Sequence, residues 1–264
     1  MGEGESVATN SEHARADIEF HAVHAPIYDE EVASEYALYD EWALVPFLRR
    51  FERFGPQLKV LDLGCGTGAV TLHLARRGFT VRALDQSPDM IAIAEGKVER
   101  AGLRGNVTFH VGDAVSLPFE PDEFDLVTSQ RVLHHLPDIR PAFAEVDRVL
   151  KPGGWFYLSD GVGDWTPAAR ALRALWKAVL PTLRAPETLH RPPAGHEVLR
   201  NAAEFEQLLT EFGFSYERRF FTHVGMQRYL STRQRAVLIK LLSAPWNRSS
   251  GDLFFAYARA CTSP

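Results

Sequence analysis

Residues 59–71 have the sequence KVLDLGCGTGAVT, a short apolar run followed at once by glycines. The apolar residues predict a buried strand, and Gly64, Gly66 and Gly68 predict a tight turn that leads into a helix. Glycine lets the backbone approach a ligand closely, and the first turn of a helix offers unpaired N–H groups to it. The segment therefore predicts a ligand site at the end of a strand.

The glycine spacing alone does not identify the ligand. Gly64, Gly66 and Ala69 fit the dinucleotide pattern G-x-G-x-x-G/A, whereas Asp62 extends the segment to D-x-G-x-G-x-G. Asp85 follows about twenty residues after the turn, where a carboxylate can accept hydrogen bonds from ribose hydroxyls. The pair of features predicts a nucleoside ligand and leaves its identity open.

Strands and helices are predicted to alternate through the middle of the chain. The predicted strands lie near 58–63, 79–84, 106–111, 124–129 and 153–159, and the predicted helices near 69–77, 88–101 and 139–150. Such alternation indicates βαβ units and a parallel sheet covered on both faces. Two more strands, near 214–222 and 253–259, are expected to form an antiparallel edge. The expected fold class is α/β, a doubly wound, Rossmann-like, seven-stranded mixed sheet.

Further motifs follow in order: GDA at 112–114, LPFEPDEFDLV at 117–127, VLHHL at 132–136 and LKPGG at 150–154. Together with the glycine turn, they resemble the small-molecule class I methyltransferases that use S-adenosylmethionine, a group that includes the ubiquinone and menaquinone C-methyltransferases. The resemblance extends over roughly residues 58–160. It implies transfer of a methyl group to oxygen, nitrogen or carbon of a small, partly aromatic or apolar metabolite.

The resemblance also implies a set of cofactor contacts. Asp62 is expected to orient the ammonium group of S-adenosylmethionine, and Asp85 to hold its ribose. Met90 is expected against the adenine, with ordinary helix packing as its alternative, and Asp113 near the adenine amino group. The predicted cofactor-binding residues are Tyr28, Asp62, Gly64, Gly66, Gly68, Asp85, Gln86, Met90, Asp113, Ala114 and Gln130.

Two neighbouring histidines follow the fourth predicted strand, at the end where open α/β sheets place their sites. A base is needed only if the acceptor loses a proton, as a phenol or an alcohol does. His135 of the pair His134-His135 is the candidate catalytic base, and a structural or cofactor-positioning role is the alternative. No metal site is expected, because the histidine pairs of the sequence lack a third ligand at a recognisable spacing.

Composition excludes several classes of protein. The chain has 264 residues and a net charge of −5, which does not supply the basic patch of a nucleic-acid-binding protein. Two cysteines are too few for a disulfide framework. The N-terminus lacks secretory features and no stretch approaches transmembrane length, so a cytoplasmic protein without a membrane partner is expected. The sequence does not indicate an oligomeric state.

Five segments are expected along the chain. They are a flexible tail at 1–16, an N-terminal helical cap at 17–56, a cofactor-binding core at 57–160, a substrate lid inserted after the fifth strand at 161–200, and C-terminal helices and edge strands at 201–264.

Two alternative functions stay open. One is a catalytically inactive regulatory or scaffold subunit that binds S-adenosylmethionine, and the other is an NAD-dependent oxidoreductase.

Overall fold

A computed structural model of the chain describes residues 10–162, 198, 200–221 and 253–261. The strands within these residues are β1 (Lys59–Leu63), β2 (Thr80–Asp85), β3 (Val107–Val111), β4 (Phe124–Gln130), β5 (Leu150–Gly161), β6 (Ser215–Phe221) and β7 (Leu253–Arg259). They form one seven-stranded sheet in the order β3-β2-β1-β4-β5-β7-β6. The predicted mixed sheet of seven strands is confirmed.

The direction of the strands refines the expected edge. β1 to β5 pair in parallel, and β7 pairs antiparallel with both β5 and β6. Because β7 lies between these two neighbours, β6 runs in the same direction as the parallel strands. The reversal is therefore confined to β7, whereas the sequence predicted an antiparallel edge without ordering its two strands.

The helices in the described residues are α1 (Asn10–Tyr39), α2 (Val45–Leu48), α3 (Ala69–Ala75), α4 (Pro88–Arg100), α5 (Arg140–Val149) and α6 (Ala202–Glu211). A π-helical turn, Asp40–Leu44, joins α1 to α2. Side chains cap the start of two of these helices. The Ser87 hydroxyl accepts a hydrogen bond from the Met90 N–H, and the Asn201 side chain accepts one from the Glu204 N–H.

Helices cover both faces of the sheet, and each face has its own hydrophobic core. Val60 packs in the core with α3 and α4, whereas Leu61, the next residue of β1, packs with Phe143 of α5 and Phe205 of α6. All four side chains are fully buried or nearly so. This alternation follows from the two-residue period of a strand, and it confirms the doubly wound α/β class.

The predicted segments are described only in part. α1 begins at Asn10, so helix occupies part of the 1–16 segment for which the polar composition predicted a flexible tail. Ala14, Arg15 and Ala16 are good helix formers, and polarity alone does not reveal that preference. Most of the predicted lid at 161–200 lies outside the described residues. Among the described helices, none combines the length and apolar character needed to cross a membrane.

Candidate active site

The carboxyl ends of β1, β2, β3 and β4 open into one cleft. Its open space is about 910 Å³, solvent at its mouth included. β1 lies between β2 and β4, its neighbours on opposite sides. The chain reverses its direction of winding there, and open α/β sheets place their ligands at such a point.

The cleft wall contains all but one of the predicted site residues. They are Tyr28, Asp62, Gly64, Gly66, Asp85, Gln86, Met90, Asp113, Ala114, Gln130 and His135. Gly68 is the exception. It has φ +86°, and a Cβ atom there would lie 2.9 Å from the Cβ of Ala94, so this glycine allows the start of α3 to pack against α4.

The glycine turn is held by the carboxylate at the end of β2. Asp85 Oδ2 accepts a hydrogen bond from the Gly66 N–H at 2.8 Å, and Oδ1 accepts one from the Ser87 N–H at 2.9 Å. Burial raises the pKa of Asp85, and these two N–H groups partly oppose the effect. Asp85 therefore shapes the turn as well as lining the cleft.

Asp62 is buried at the end of β1 and is satisfied by two hydroxyls. Its Oδ2 accepts from Thr71 Oγ1 at 2.6 Å, and its Oδ1 accepts from Thr128 Oγ1 at 3.0 Å. Burial raises the pKa of Asp62 to about 6, although the two hydrogen bonds act to lower it. No local sequence pattern indicates the two threonines, because they come from α3 and β4 and meet Asp62 only in the folded protein.

Gln130 offers a polar atom to the cleft. Its Nε2 donates to Asp40 Oδ1 at 3.1 Å, and the other carboxylate oxygen of Asp40 lies 3.1 Å from His73 Nε2. Gln130 Oε1 is buried and has no hydrogen-bond partner within the described part of the chain. A buried acceptor of this kind suits a ligand that brings a donor, such as an ammonium group.

Helix α1 lies over the glycine turn. Asp29 of α1 accepts a hydrogen bond from Thr67 Oγ1 of the turn at 2.6 Å and forms an ion pair with Lys97 of α4. Tyr28, the neighbour of Asp29, lies in the cleft wall. The N-terminal helix thus supplies one side of the cleft.

Three side chains that the sequence did not connect meet at this side of the cleft. Asp17 Oδ1 lies 2.9 Å from His135 Nδ1, and Asp17 Oδ2 lies 3.3 Å from His21 Nδ1. Burial tends to raise the pKa of Asp17, but its contacts with His135 and His21 outweigh burial and hold that pKa well below its usual range. Burial tends to lower the pKa of His21. The hydrogen bond to Asp17 and the charge of Asp17 outweigh the effect of burial, so the pKa of His21 is raised.

The two neighbouring histidines have different surroundings. Burial, together with the charge of His134, lowers the pKa of His135 to about 3, so its imidazole is neutral at pH 7. His134 is not in the cleft wall. Its Nδ1 lies 2.6 Å from Asp160 Oδ1, and Asp160 Oδ2 accepts from the Leu133 N–H at 2.7 Å. His134 thus holds the segment after β4 in place, and of the pair only His135 faces the site.

Residues 61–158 match a family model described as a methyltransferase domain. These residues are therefore similar to a methyltransferase domain. A solved structure of an S-adenosylmethionine-dependent methyltransferase from Methanosarcina mazei is 27% identical, covers 78% of this chain and 93% of its own, and superimposes with a TM-score of 0.53.

Curated relatives match the methyltransferase domain over part of their length. A demethylmenaquinone methyltransferase of Leptospira interrogans is 33% identical over 138 residues, which are 48% of this chain and 55% of that protein. A norajmaline N-methyltransferase of Rauvolfia serpentina is 34% identical over 123 residues, 46% of this chain and 42% of that protein. The match therefore spans about half the length of these relatives.

Proposed function

We propose that this protein transfers the methyl group of S-adenosylmethionine to oxygen, nitrogen or carbon of a small, partly aromatic or apolar metabolite. The charge of the cleft is the observation that carries the proposal. Four aspartates line it, at positions 17, 62, 85 and 113, whereas Arg131 is the one arginine and no lysine occurs among the described lining residues. A negative wall suits the sulfonium and ammonium groups of S-adenosylmethionine.

Methyl transfer depends more on the alignment of donor and acceptor than on acid or base groups. A lone pair of the acceptor forms a bond to the methyl carbon while the carbon–sulfur bond breaks. The electrons of that bond stay on sulfur, which becomes neutral in S-adenosylhomocysteine. Because the positive charge on sulfur disappears during the step, holding donor and acceptor in line in a dry cavity is the main contribution asked of the protein.

The cofactor contacts follow from the chemistry of the wall. Asp62 and Gln130 Oε1 accept hydrogen bonds from the ammonium group, directly or through water. Asp85 accepts from the ribose hydroxyls, since each of its oxygens already uses one lone pair on a backbone N–H and retains another. Met90, Asp113 and Ala114 surround the adenine. Tyr28 of α1 covers the cofactor from the N-terminal side.

The acceptor is recognised by segments outside the cofactor-binding core. The names of the two relatives give demethylmenaquinone as the acceptor in one case and a nitrogen of norajmaline in the other. Both matches cover less than half of this chain. We therefore assign acceptor selection to α1 and to the 161–200 segment, the proposed substrate lid.

No observation favours the two alternative functions. A dinucleotide brings a pyrophosphate, and a cleft with four aspartates repels that group. A binding subunit without catalysis would retain the glycine turn, Asp62 and Asp85 as an enzyme does, so a transfer assay is needed to separate the two.

A transfer assay tests the proposal. The protein is incubated with S-adenosylmethionine labelled in its methyl group and with a panel of phenols, amines and quinols. We expect at least one labelled product, lost in Asp85→Ala and retained in Asp89→Ala, which removes an exposed aspartate from the first turn of α4. Cofactor binding without a labelled product across the panel would instead support the binding subunit.

A further inference from the structure

Asp17, His21 and His135 form a compact group of metal-ligating side chains within the cleft. Asp17 and His21 lie one turn apart on α1, and His135 ends the 3-10 helix Leu133–His135 that follows β4. One ligand atom from each residue lies within 4.8 Å of those of the other two. Two separate parts of the chain thus bring two imidazoles and one carboxylate to a single point.

We propose that these three residues bind a divalent transition-metal ion beside the cofactor. Ligands at right angles around an ion, each about 2.1 Å from it, are separated from one another by about 3 Å. Asp17 Oδ1 and His135 Nδ1 are 2.9 Å apart, which is the spacing of two such neighbours. An ion that enters between them would replace the direct contact of Asp17 with His135.

The surroundings of the group orient its ligands. The Nδ1–H of His21 donates to the Asp17 backbone carbonyl at 2.9 Å, so in the neutral ring Nε2 carries the lone pair that a metal needs. Gln86 Nε2 donates to Asp17 Oδ2 and restrains the carboxylate. Hydrogen bonds of these kinds, from a ligating histidine to a carbonyl and to a ligating carboxylate, are regular features of metal sites.

The donor set indicates the class of ion. Two imidazoles and one carboxylate suit Zn²⁺, Fe²⁺ and related first-row ions, whereas Mg²⁺ and Ca²⁺ take mainly oxygen ligands. Three protein ligands also leave coordination positions open to other molecules. The remaining aspartates of the cleft wall, Asp62, Asp85 and Asp113, make the surroundings favourable for a cation.

An ion at this position has a direct use in the proposed reaction. A metal-bound hydroxyl loses its proton more easily than a free one, so the ion would activate an acceptor that binds through oxygen, and the proton would pass to solvent at the mouth of the cleft. His135 then acts as a ligand through its neutral ring rather than as the base. This role rests on the proposed function, whereas metal binding itself does not.

Metal uptake by the full chain tests the site without any methyl transfer. After treatment with a chelator, the protein is titrated with Zn²⁺ by calorimetry, and with Co²⁺, whose visible absorption reports its ligands. The matched variants are His21→Gln and His135→Gln, with His24→Gln as the control on the next turn of α1. Binding of S-adenosylhomocysteine is measured on every preparation as an independent check of the fold and of the cofactor site.

We expect one Zn²⁺ per chain, a Co²⁺ spectrum that Zn²⁺ displaces, and affinity reduced tenfold or more, as an order of magnitude, in His21→Gln and His135→Gln but not in His24→Gln. Absence of stoichiometric uptake by the wild-type chain, or equal uptake by His21→Gln, would overturn the metal site. If S-adenosylhomocysteine still binds in that case, the proposed function is unaffected. If the chain binds metal but not S-adenosylhomocysteine, the metal site stands and the proposed function is contradicted.

Discussion

The Asp85 carboxylate and the Gly66 backbone N–H are joined by a hydrogen bond of 2.8 Å. This contact connects the end of β2 to the turn that follows β1. The same carboxylate also accepts the N–H of Ser87 at the start of α4. The residue proposed to hold the ribose is therefore also a residue that fixes the shape of the cofactor-binding turn.

Replacing Asp85 is expected to weaken cofactor binding through both roles. Asp85→Ala removes the ribose acceptor and leaves two N–H groups without their partner, so S-adenosylhomocysteine should bind about 10- to 100-fold more weakly, the equivalent of one charged hydrogen bond. Calorimetry measures the change. Asp89→Ala is the matched control on the exposed face of α4, and an equal loss of affinity there would contradict this assignment.

Two glycines of the turn should respond differently to a methyl group. A Cβ atom on Gly64 would lie 2.3 Å from Val132 Cγ2, whereas one on Gly66 meets nothing within 4 Å. Both residues have positive φ, at +67° and +50°, which costs alanine about 1–2 kcal/mol. Gly66→Ala should therefore lower the free energy of unfolding by about that amount, and Gly64→Ala by more, as measured by urea denaturation.

A second substitution separates the steric clash at Gly64 from backbone strain. Val132→Ala removes both γ-methyl groups that the new Cβ would meet, so the double variant should recover part of the loss seen in Gly64→Ala. Purely additive effects of the two substitutions would show that the clash is not the cause.

Cofactor binding should depend on pH through Asp62. Its pKa in the folded protein is about 6, and the cationic ammonium of S-adenosylmethionine favours the ionised carboxylate. Affinity should therefore rise as the pH increases through about 6 and then level off. Calorimetry over this range gives the profile, and Asp62→Asn should make it flat. An unchanged profile in the variant would place the titrating group elsewhere.

The same shift makes a prediction about stability without cofactor. The pKa of Asp62 is raised from 3.8 to about 6 on folding, so the folded state holds this proton more tightly than the unfolded state does. The contribution of Asp62 to the free energy of unfolding is fully present below pH 3.8 and is lost as the pH rises to about 6. The loss amounts to about 3 kcal/mol. In urea denaturation, the free energy of unfolding of Asp62→Asn should not show this fall with pH.

Asp160 is expected to be important for stability. It is fully buried, and besides His134 Nδ1 it accepts the backbone N–H groups of Leu133, His134 and Gly161. Asp160→Ala leaves these donors buried and should lower the free energy of unfolding by about 3–5 kcal/mol. Glu99→Ala, at an exposed position of α4, serves as the control and should change it little.

The pH dependence of Asp160 has the opposite sign to that of Asp62. Burial raises its pKa, but the charge and hydrogen bond of His134 outweigh burial and lower it. The stabilisation is therefore present above the ordinary pKa of 3.8 and is lost as the pH falls below it. Acid denaturation should begin at higher pH in Asp160→Asn if the variant retains the fold.

The local pattern of apolar residues and turn signals was sufficient to predict most of the fold. Each core strand is a short apolar run next to a turn or helix signal, so β1 to β5 were predicted within a few residues. The place of β7 between β5 and β6 was not predictable, because it depends on pairing between distant parts of the chain. Likewise, Asp62 and Asp85 were recognisable from their fixed relation to the glycine turn.

The remaining site residues carry no such local signal. Asp17 and His21 come from α1, far ahead of the core, and reach the cleft because α1 packs over the turn through Asp29, Thr67 and Lys97. No spacing in the sequence relates them to His135. The sequence therefore predicted a histidine base and no metal site, whereas the folded chain brings Asp17 and His21 close to that histidine.

Calorimetry of the wild-type chain with S-adenosylmethionine, S-adenosylhomocysteine and NAD tests the central claim most directly. We predict that the first two bind at one site per chain, that NAD does not bind, and that Asp62→Ala and Asp85→Ala each weaken binding. Micromolar binding of NAD, with no binding of S-adenosylmethionine or S-adenosylhomocysteine, would contradict the account.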